Sequence, residues 1–233
     1  MPKTLIFTAT YNERENVSNL INQINSVSND LDILIVDDNS PDGTGEILNN
    51  LVNKHNNLKV IHRENKLGLD TAHKFGFKYA KEKNYEKFIT MDADLSHEPK
   101  EIPKILEILN KESFVIGSRY IKGGSCEMSF FRTLLSIVGN KIIKKSLNIR
   151  SSEFTTSYRG FNLNNLKNFD LTLVKSKGYS FFMETIFRLN QNGIKINEIP
   201  IQFKNRTQGK SKIPKLEILR TLKNLFLLKF SSK

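Results

Sequence analysis

Two carboxylates one residue apart, Asp92 and Asp94, follow directly on a short apolar run, Lys87-Phe88-Ile89-Thr90-Met91. The run reads as a buried strand. On an extended chain, side chains at i and i+2 point to the same side, so the two acids can face one small, hard cation. Magnesium and manganese take oxygen ligands, and magnesium is commonly held by one or two carboxylates plus substrate phosphates. Asp92-Ala93-Asp94-Leu95-Ser96-His97 is therefore a candidate metal–diphosphate site. The competing reading is a polar turn that caps a helix starting near Pro99.

Anion chemistry is available elsewhere. Asn205-Arg206-Thr207-Gln208-Gly209-Lys210-Ser211-Lys212 is a basic, glycine-containing loop. Arg206 and Lys212 can close over an anion, the first as a planar fork and the second as a point charge. The bland reading is a solvated loop.

The elements that must position these residues alternate. Apolar strands are expected at Leu5–Ala9, Leu31–Val36, Leu58–Ile61, Lys87–Met91 and Ser113–Gly117. Between them lie helical faces: Val17, Leu20, Ile21 and Ile24; Ile47, Leu48, Leu51 and Val52; Ala72, Phe75, Gly76, Tyr79 and Ala80; Ile102, Ile105, Leu106 and Leu109. Alternation with short connections implies an α/β domain with a mostly parallel sheet. Ligands bind such sheets outside the carboxyl ends of the strands. The clusters Tyr11-Asn12-Glu13, Asp37-Asp38 and Asp92/Asp94 all fall at such ends. Asp38 suits hydrogen bonds from sugar hydroxyls or a base edge. No Gly-x-Gly-x-x-Gly follows a strand and no Walker A loop occurs, which argues against dinucleotide and P-loop sites.

The second half is less regular. Phe130–Leu147 is amphipathic and basic, and reads either as core packing with solvated lysines or as a helix on a membrane surface. Thr155–Phe161 is strand-like. Glu184 falls on an apolar helical face, where a carboxylate needs a partner. Ile194–Phe203 reads as a strand pair or one strand broken near Pro200. Ile213–Phe230 keeps helical spacing and is too short to span a bilayer, which takes roughly 20 apolar residues.

The 233 residues carry a formal charge of +12. That balance calls for an anionic partner (nucleic acid, membrane surface or phosphorylated substrate) unless it reflects compositional drift. One cysteine, Cys126, allows no internal disulfide and fits a reducing compartment. The start runs straight into a strand, and no signal peptide is expected.

In order and spacing, Ala9-Thr10-Tyr11-Asn12-Glu13-Arg14-Glu15-Asn16, Val36 to Thr44, Asp92 to His97, Gly117-Ser118-Arg119-Tyr120 and Arg206 to Lys212 resemble the dolichol-phosphate mannosyltransferases of glycosyltransferase family 2. The resemblance covers about the whole chain. It implies the GT-A nucleotide-diphospho-sugar transferase fold, GDP-mannose as donor, a polyprenyl phosphate as acceptor and inversion at the sugar carbon. Ala9, Tyr11, Glu13, Val36 and Asp38 would hold the guanosine. Asp92, Ala93 and Asp94 would meet the diphosphate and a Mg2+ or Mn2+ ion, with Asp94 the direct ligand and Ser96 a further ligand position. Arg119, Arg206 and Lys212 would contact phosphates, and Arg132 and Ser136 would receive the lipid phosphate. The catalytic residues would be Asp92, Asp94 and Arg119.

The same resemblance implies a catalytic domain over 1–212 and a C-terminal amphipathic helix over 213–233. The latter would dock on an anionic membrane surface or a small membrane-anchored subunit, peripherally at the cytoplasmic face. Two departures stand out: Ala9 replaces the usual Pro, and the Asp-x-Thr-Ser/Gly-x-Phe-Arg segment appears as Glu153-Phe154-Thr155-Thr156-Ser157-Tyr158-Arg159. A UDP-glucose or other donor, or a glycan acceptor, stays open. A basic nucleic-acid-binding protein would show aromatic–basic interleaving on a sheet or a recognition helix, and neither is found.

Overall fold

The structure, a computed structural model, describes residues 3–166, 168–205 and 217–230. In chain order it contains β1 (Thr4–Thr10), α1 (Val17–Val27), β2 (Leu31–Asp37), α2 (Thr44–Val52), β3 (Leu58–His62), α3 (Leu69–Glu82) and β4 (Lys87–Thr90). A 3-10 turn at Pro99–Glu101 leads into α4 (Ile102–Leu109), followed by β5 (Phe114–Ser118), β6 (Ser125–Cys126), α5 (Phe130–Leu147) and β7 (Arg159–Asn162). α6 (Ser180–Gln191), β8 (Asn197–Pro200), β9 (Gln202–Phe203) and α7 (Glu217–Phe230) complete it.

Seven strands form one sheet in the order β3-β2-β1-β4-β7-β5-β8, and β6 pairs with β9 in a small second sheet. Every pairing in the large sheet is parallel except those of β7, which runs against both β4 and β5. The chain lays down β1, β2 and β3 in one direction and then returns to place β4 on the other side of β1. In a doubly wound sheet such a reversal marks the crevice outside the carboxyl ends of the strands, here β1 and β4, as the usual ligand position.

The strands read as near-continuous apolar runs because both faces are covered. On β1, Leu5 and Phe7 enter one core, with Phe77, Phe88, Phe114, Phe161 and Phe182. Ile6 enters the other, with Ile33, Ile35, Ile89, Ile105 and Tyr158.

Two elements differ from the sequence expectation, and one, Ile194–Phe203, breaks near Pro200 as expected. Of the strand-like stretch Thr155–Phe161 only Arg159–Phe161 pairs, in β7, and the residues before it form a loop. Ile194–Phe203 serves two sheets: β8 ends at Pro200, on an edge strand where its missing N–H is tolerated, and β9 begins two residues on. The core-packing reading of Phe130–Leu147 does not hold. The helix has the expected bounds, but Phe130 is 84 % exposed, Phe131 68 %, and Leu134, Leu135, Val138 and Ile142 are exposed as well. The carboxylate of Glu184 does find its partners: the Arg188 guanidinium and the N–H groups of Lys175 and Ser176 donate to it.

α3 lies on β1 at Gly76. A Cβ there would come within 2.4 Å of the ring of the fully buried Phe7. Replacing a helical glycine by alanine gains about 1 kcal/mol in propensity, while overpacking a closed core costs about 1–3 kcal/mol. Gly76→Ala should therefore lower unfolding stability by up to about 2 kcal/mol, read as an earlier urea midpoint at unchanged slope. A stabilised variant would show that α3 can slide off β1.

Candidate active site

β4 ends at Thr90, and Met91–His97 turns sharply over the crevice. Leu95 sits at φ +62°, a left-handed conformation that costs a branched residue about 1–3 kcal/mol and persists only when its surroundings enforce it. Two clasps do so. The N–H and hydroxyl of Ser96 donate to Asp94 Oδ1 at 3.0 and 2.6 Å. Asp92 N–H donates to His97 Nδ1 at 3.1 Å. A backbone N–H can only donate, so the His97 proton resides on Nε2, which donates to Thr156 Oγ1 at 3.0 Å. His97 is buried against Tyr158 and Phe203. Burial pushes its pKa below the ordinary imidazole value although Asp92 and Asp94 pull the other way. Its 3.7 Å approach to Asp92 is thus a neutral contact rather than an ion pair.

A second layer comes from the loop ahead of β7. Ser157 Oγ donates to Asp92 Oδ1 at 2.5 Å. Arg119, at the end of β5, places Nε and Nη2 on the two carboxylate oxygens of Glu153 at 2.8 and 2.9 Å, and Nη2 also reaches Thr155 Oγ1. Burial alone would raise the Glu153 pKa; the charge and hydrogen bonds of Arg119, with those of Thr155, outweigh it and hold the carboxyl below its ordinary value. The Arg119 guanidinium is held above its ordinary value by the same partner.

At the ends of β1 and β2 the expected donor residues come together. Asp37 accepts from Thr10 Oγ1 and Ser40 Oγ, and Asp38 pairs with Arg63 and accepts from Gly68 N–H at 3.0 Å. Glu13 accepts from Asn16 Nδ2, and its own N–H meets Thr44 Oγ1. Lys66 lies 3.7 Å from the centre of the Tyr11 ring. Ala9 is partly buried and Val36 fully buried beside them. Asn12 and Asn39, both at φ +56°, turn the chain as each strand ends.

On α5, Ser136 Oγ accepts from the Tyr120 hydroxyl at 2.6 Å, while Arg132 is exposed one turn earlier. Arg206 and Lys212 lie outside the described residues. Ala93 is buried beneath the Asp92–Asp94 turn.

Several partners escaped the sequence reading: His97 and Thr156 as a clasp, Ser157 on Asp92, Glu153 beneath Arg119, Tyr120 on Ser136, and Arg63 on Asp38. Only the altered Glu153–Arg159 segment carried a signal, and it marked a departure without naming a partner. Among the described residues no group of three or more His, Cys, Asp or Glu gathers as a metal cage. The Asp92/Asp94 pair is all oxygen and anionic. It fits a hard divalent ion that completes its shell with phosphate and water, whereas His97 has both ring nitrogens engaged.

Removing one partner of a buried ion pair costs about 3–5 kcal/mol, so Glu153→Gln should destabilise the protein by an amount of that order. A carboxyl whose folded pKa is depressed stabilises fully above its unfolded value, about 4.3, and the contribution fades as pH falls through the lower folded value. Urea titrations at several pH values should show the gap between wild type and Glu153→Gln wide at neutral pH and closing below about pH 4. A gap that stays constant into acid would mean the pair contributes nothing through its charge.

Residues 5–169 match the sequence profile of glycosyl transferase family 2. The chain is similar to undecaprenyl-phosphate mannosyltransferase of Micrococcus luteus, with 34% identity over 91% of this chain and 87% of the relative. It is also similar to polyprenol monophosphomannose synthase of Mycolicibacterium smegmatis, with 35% identity over 91% and 81%. Among solved structures, glucosyl-3-phosphoglycerate synthase of Mycobacterium tuberculosis, crystallised with Mn2+ and UDP, superposes with TM-score 0.69 at 12% identity, covering 99% of this chain and 79% of that one. A Pyrobaculum calidifontis mannosyltransferase in complex with GDP-Man and Mn2+ gives TM-score 0.61 at 16% identity, covering 99% and 64%. The structural likeness shows the GT-A fold, and the sequence matches place the chain in glycosyltransferase family 2.

Proposed function

We propose that this enzyme transfers mannose from GDP-mannose to a polyprenyl phosphate, with inversion at the sugar carbon, releasing GDP at a membrane surface. One observation carries the reading: the acidic turn after β4 is bonded to the same loop that clamps Arg119, and that loop adjoins a helix whose apolar face is exposed. In this reading a donor diphosphate, an anionic acceptor and a lipid chain would each bind to one connected structure. The curated relatives are named for mannosyl transfer to such lipids.

In this reading Ala9, Tyr11, Glu13, Val36 and Asp38 hold the guanosine. The Asp38 carboxylate spends two of about four lone-pair sites on Arg63 and Gly68, which fixes it while leaving acceptors for a ribose or base N–H or O–H. Asp92 and Asp94 would hold Mg2+ or Mn2+, with Ser96 supporting Asp94. The bound ion would supply charge stabilisation for the departing diphosphate.

Arg119 uses three of its five N–H donors on Glu153 and Thr155, and Nη1 is the edge it offers to a phosphate. Arg132 and Ser136 would receive the acceptor phosphate, and Arg206 and Lys212 would close over the donor. A lipid phosphate is already ionised near neutral pH, so attack on the sugar needs no strong base. His97, neutral and engaged at both nitrogens, supplies none. The residues of the site instead hold two anions in line against their repulsion, which is positioning and electrostatic work.

We assign residues 1–212 to catalysis and 213–233 to docking. α7 packs against α5 and α6, burying Leu225 and Leu228 while Leu219, Leu222, Phe226, Leu227 and Phe230 stay exposed. Lys and Arg punctuate both helices, which suits the anionic lipids of a cytoplasmic leaflet. No described helix is long and apolar enough to cross a membrane.

Purified protein with labelled GDP-mannose, Mn2+ or Mg2+ and a short polyprenyl phosphate should move label into the organic phase. Asp94→Asn should lower that rate about 100-fold or more, the several kcal/mol a metal ion contributes. Transfer from UDP-glucose alone would change the donor, and no transfer from either would overturn the function. The membrane assignment has its own check. The full chain should float with vesicles containing anionic lipid, less so at high salt, and the double variant Phe130→Ser, Phe131→Ser should float markedly less. Equal flotation by that variant would move the contact elsewhere, and no flotation without a second protein would favour a membrane-anchored subunit.

A further inference from the structure

We propose that Ser157 is a positioning residue for Asp92: its hydroxyl sets the orientation in which that carboxylate meets the metal–diphosphate group. The inference rests on the role proposed above for Asp92 and adds to it a residue from a remote part of the chain.

The geometry sets the donor and acceptor apart in character. Ser157 is 3 % exposed and is fastened in turn, because the Thr90 hydroxyl donates to its carbonyl oxygen. The Asp92 side chain is 37 % exposed. A carboxylate that open to solvent does not need a protein donor to stay solvated, so what the bond from Ser157 adds is direction. The neighbouring residue works on the same aspartate: Thr156 accepts from His97 Nε2, and His97 Nδ1 accepts from Asp92 N–H. Side chain and backbone of Asp92 are therefore held by two consecutive residues of one loop.

That loop is itself rigidly mounted. Arg159, fully buried, donates from Nε to Thr156 O and from Nη2 to Phe154 O. Phe154 N–H donates to Asn140 Oδ1 on α5. Groups that orient a ligating carboxylate without touching the metal typically change metal affinity by about 10–100-fold when removed. An aspartate at the end of a strand has two rotatable side-chain bonds, and a fixed donor at 2.5 Å removes that freedom before the ion arrives.

The test separates the metal-dependent part of nucleotide binding from the rest. Calorimetric titration of GDP would be run with Mn2+ and again in chelator, for wild type, Ser157→Ala and Ser157→Thr. In wild type Mn2+ should tighten GDP binding. In Ser157→Ala that tightening should shrink about 10-fold or more, with chelator-condition binding unchanged, and Ser157→Thr, which keeps the hydroxyl, should restore it. The half-activating Mn2+ concentration should rise in parallel while the KM for the lipid phosphate stays put.

Equal or tighter Mn2+-dependent binding by Ser157→Ala would overturn the proposal and leave the function standing. A loss of binding in chelator as well, with a lowered thermal midpoint, would assign Ser157 to the fold and also overturn it. Absence of any Mn2+ effect in wild type would overturn the metal–diphosphate reading, and this inference with it.

Discussion

The site depends on the direction of one strand. β7 is inserted antiparallel between β4 and β5, with Thr90 opposite Arg159 and Lys87 opposite Asn162. A strand entering a parallel sheet backwards must start where its neighbours finish. The residues just before β7 are thereby delivered to the edge at which β4 releases Asp92 and β5 releases Arg119. A parallel strand in that slot would have brought its preceding loop to the opposite edge, some four residues or about 13 Å away. The loop Glu153–Tyr158 can touch His97, Asp92 and Arg119 together only because of this reversal.

The loop brings buried charge with it, and the arrangement stays stable because each charge is answered or spread. Glu153 answers Arg119 in a bidentate pair, the geometry in which a guanidinium and a carboxylate interact best. Among the described residues no carboxylate is bonded to Arg159; it uses two main-chain carbonyls and the face of Phe182, 4.8 Å from its guanidinium carbon. Its burial lowers its pKa to about 9. His73 shares that core, and burial first, then the positive charge of Arg159, push its pKa down to about 3. His73 is therefore an uncharged packing group against Phe7, Phe181 and Phe182, and the cation in this core is Arg159, committed to holding the loop.

The parts of this arrangement that a sequence can disclose are those written over short spans. Apolar runs of four to six residues marked β1 to β5 to within a residue or two, and helical spacing marked α1 to α5, because period and burial are local properties. The acidic ends of β1, β2 and β4 were legible for the same reason. What stayed hidden is long-range. Ser157 and Asp92 are 65 positions apart, Arg119 and Glu153 34, Thr156 and His97 59, and no periodicity encodes which loop a reversed strand will bring to an edge. The exposed face of α5 was hidden differently. An apolar stripe with interspersed lysines has the same pattern whether it is packed into a core or left exposed, and only the packed structure distinguishes these two.

That exposed face is mechanically joined to the chemistry. Asn140 is the hinge of the connection: its Oδ1 accepts from Phe154 N–H in the loop, and its Nδ2 donates to the carbonyl of Ser136, one turn back on α5. Ser136 in turn accepts from Tyr120, the residue after Arg119. A displacement of α5 by the lipid surface proposed for it would pull at once on the loop bonded to Asp92 and on the segment that carries Arg119. The exposed apolar residues of α5 lie on the far side of a helix whose buried positions are Asn140 and Ile143. Its only fully buried polar side chain is thus the one bonded to the loop. A helix kept in place by two polar anchors, Asn140 and Ser136, and a thin apolar contact is weakly held by the protein alone. The lipid surface proposed for its other face would complete its packing, and in that reading the geometry of the proposed acceptor residues Arg132 and Ser136 would depend on the membrane.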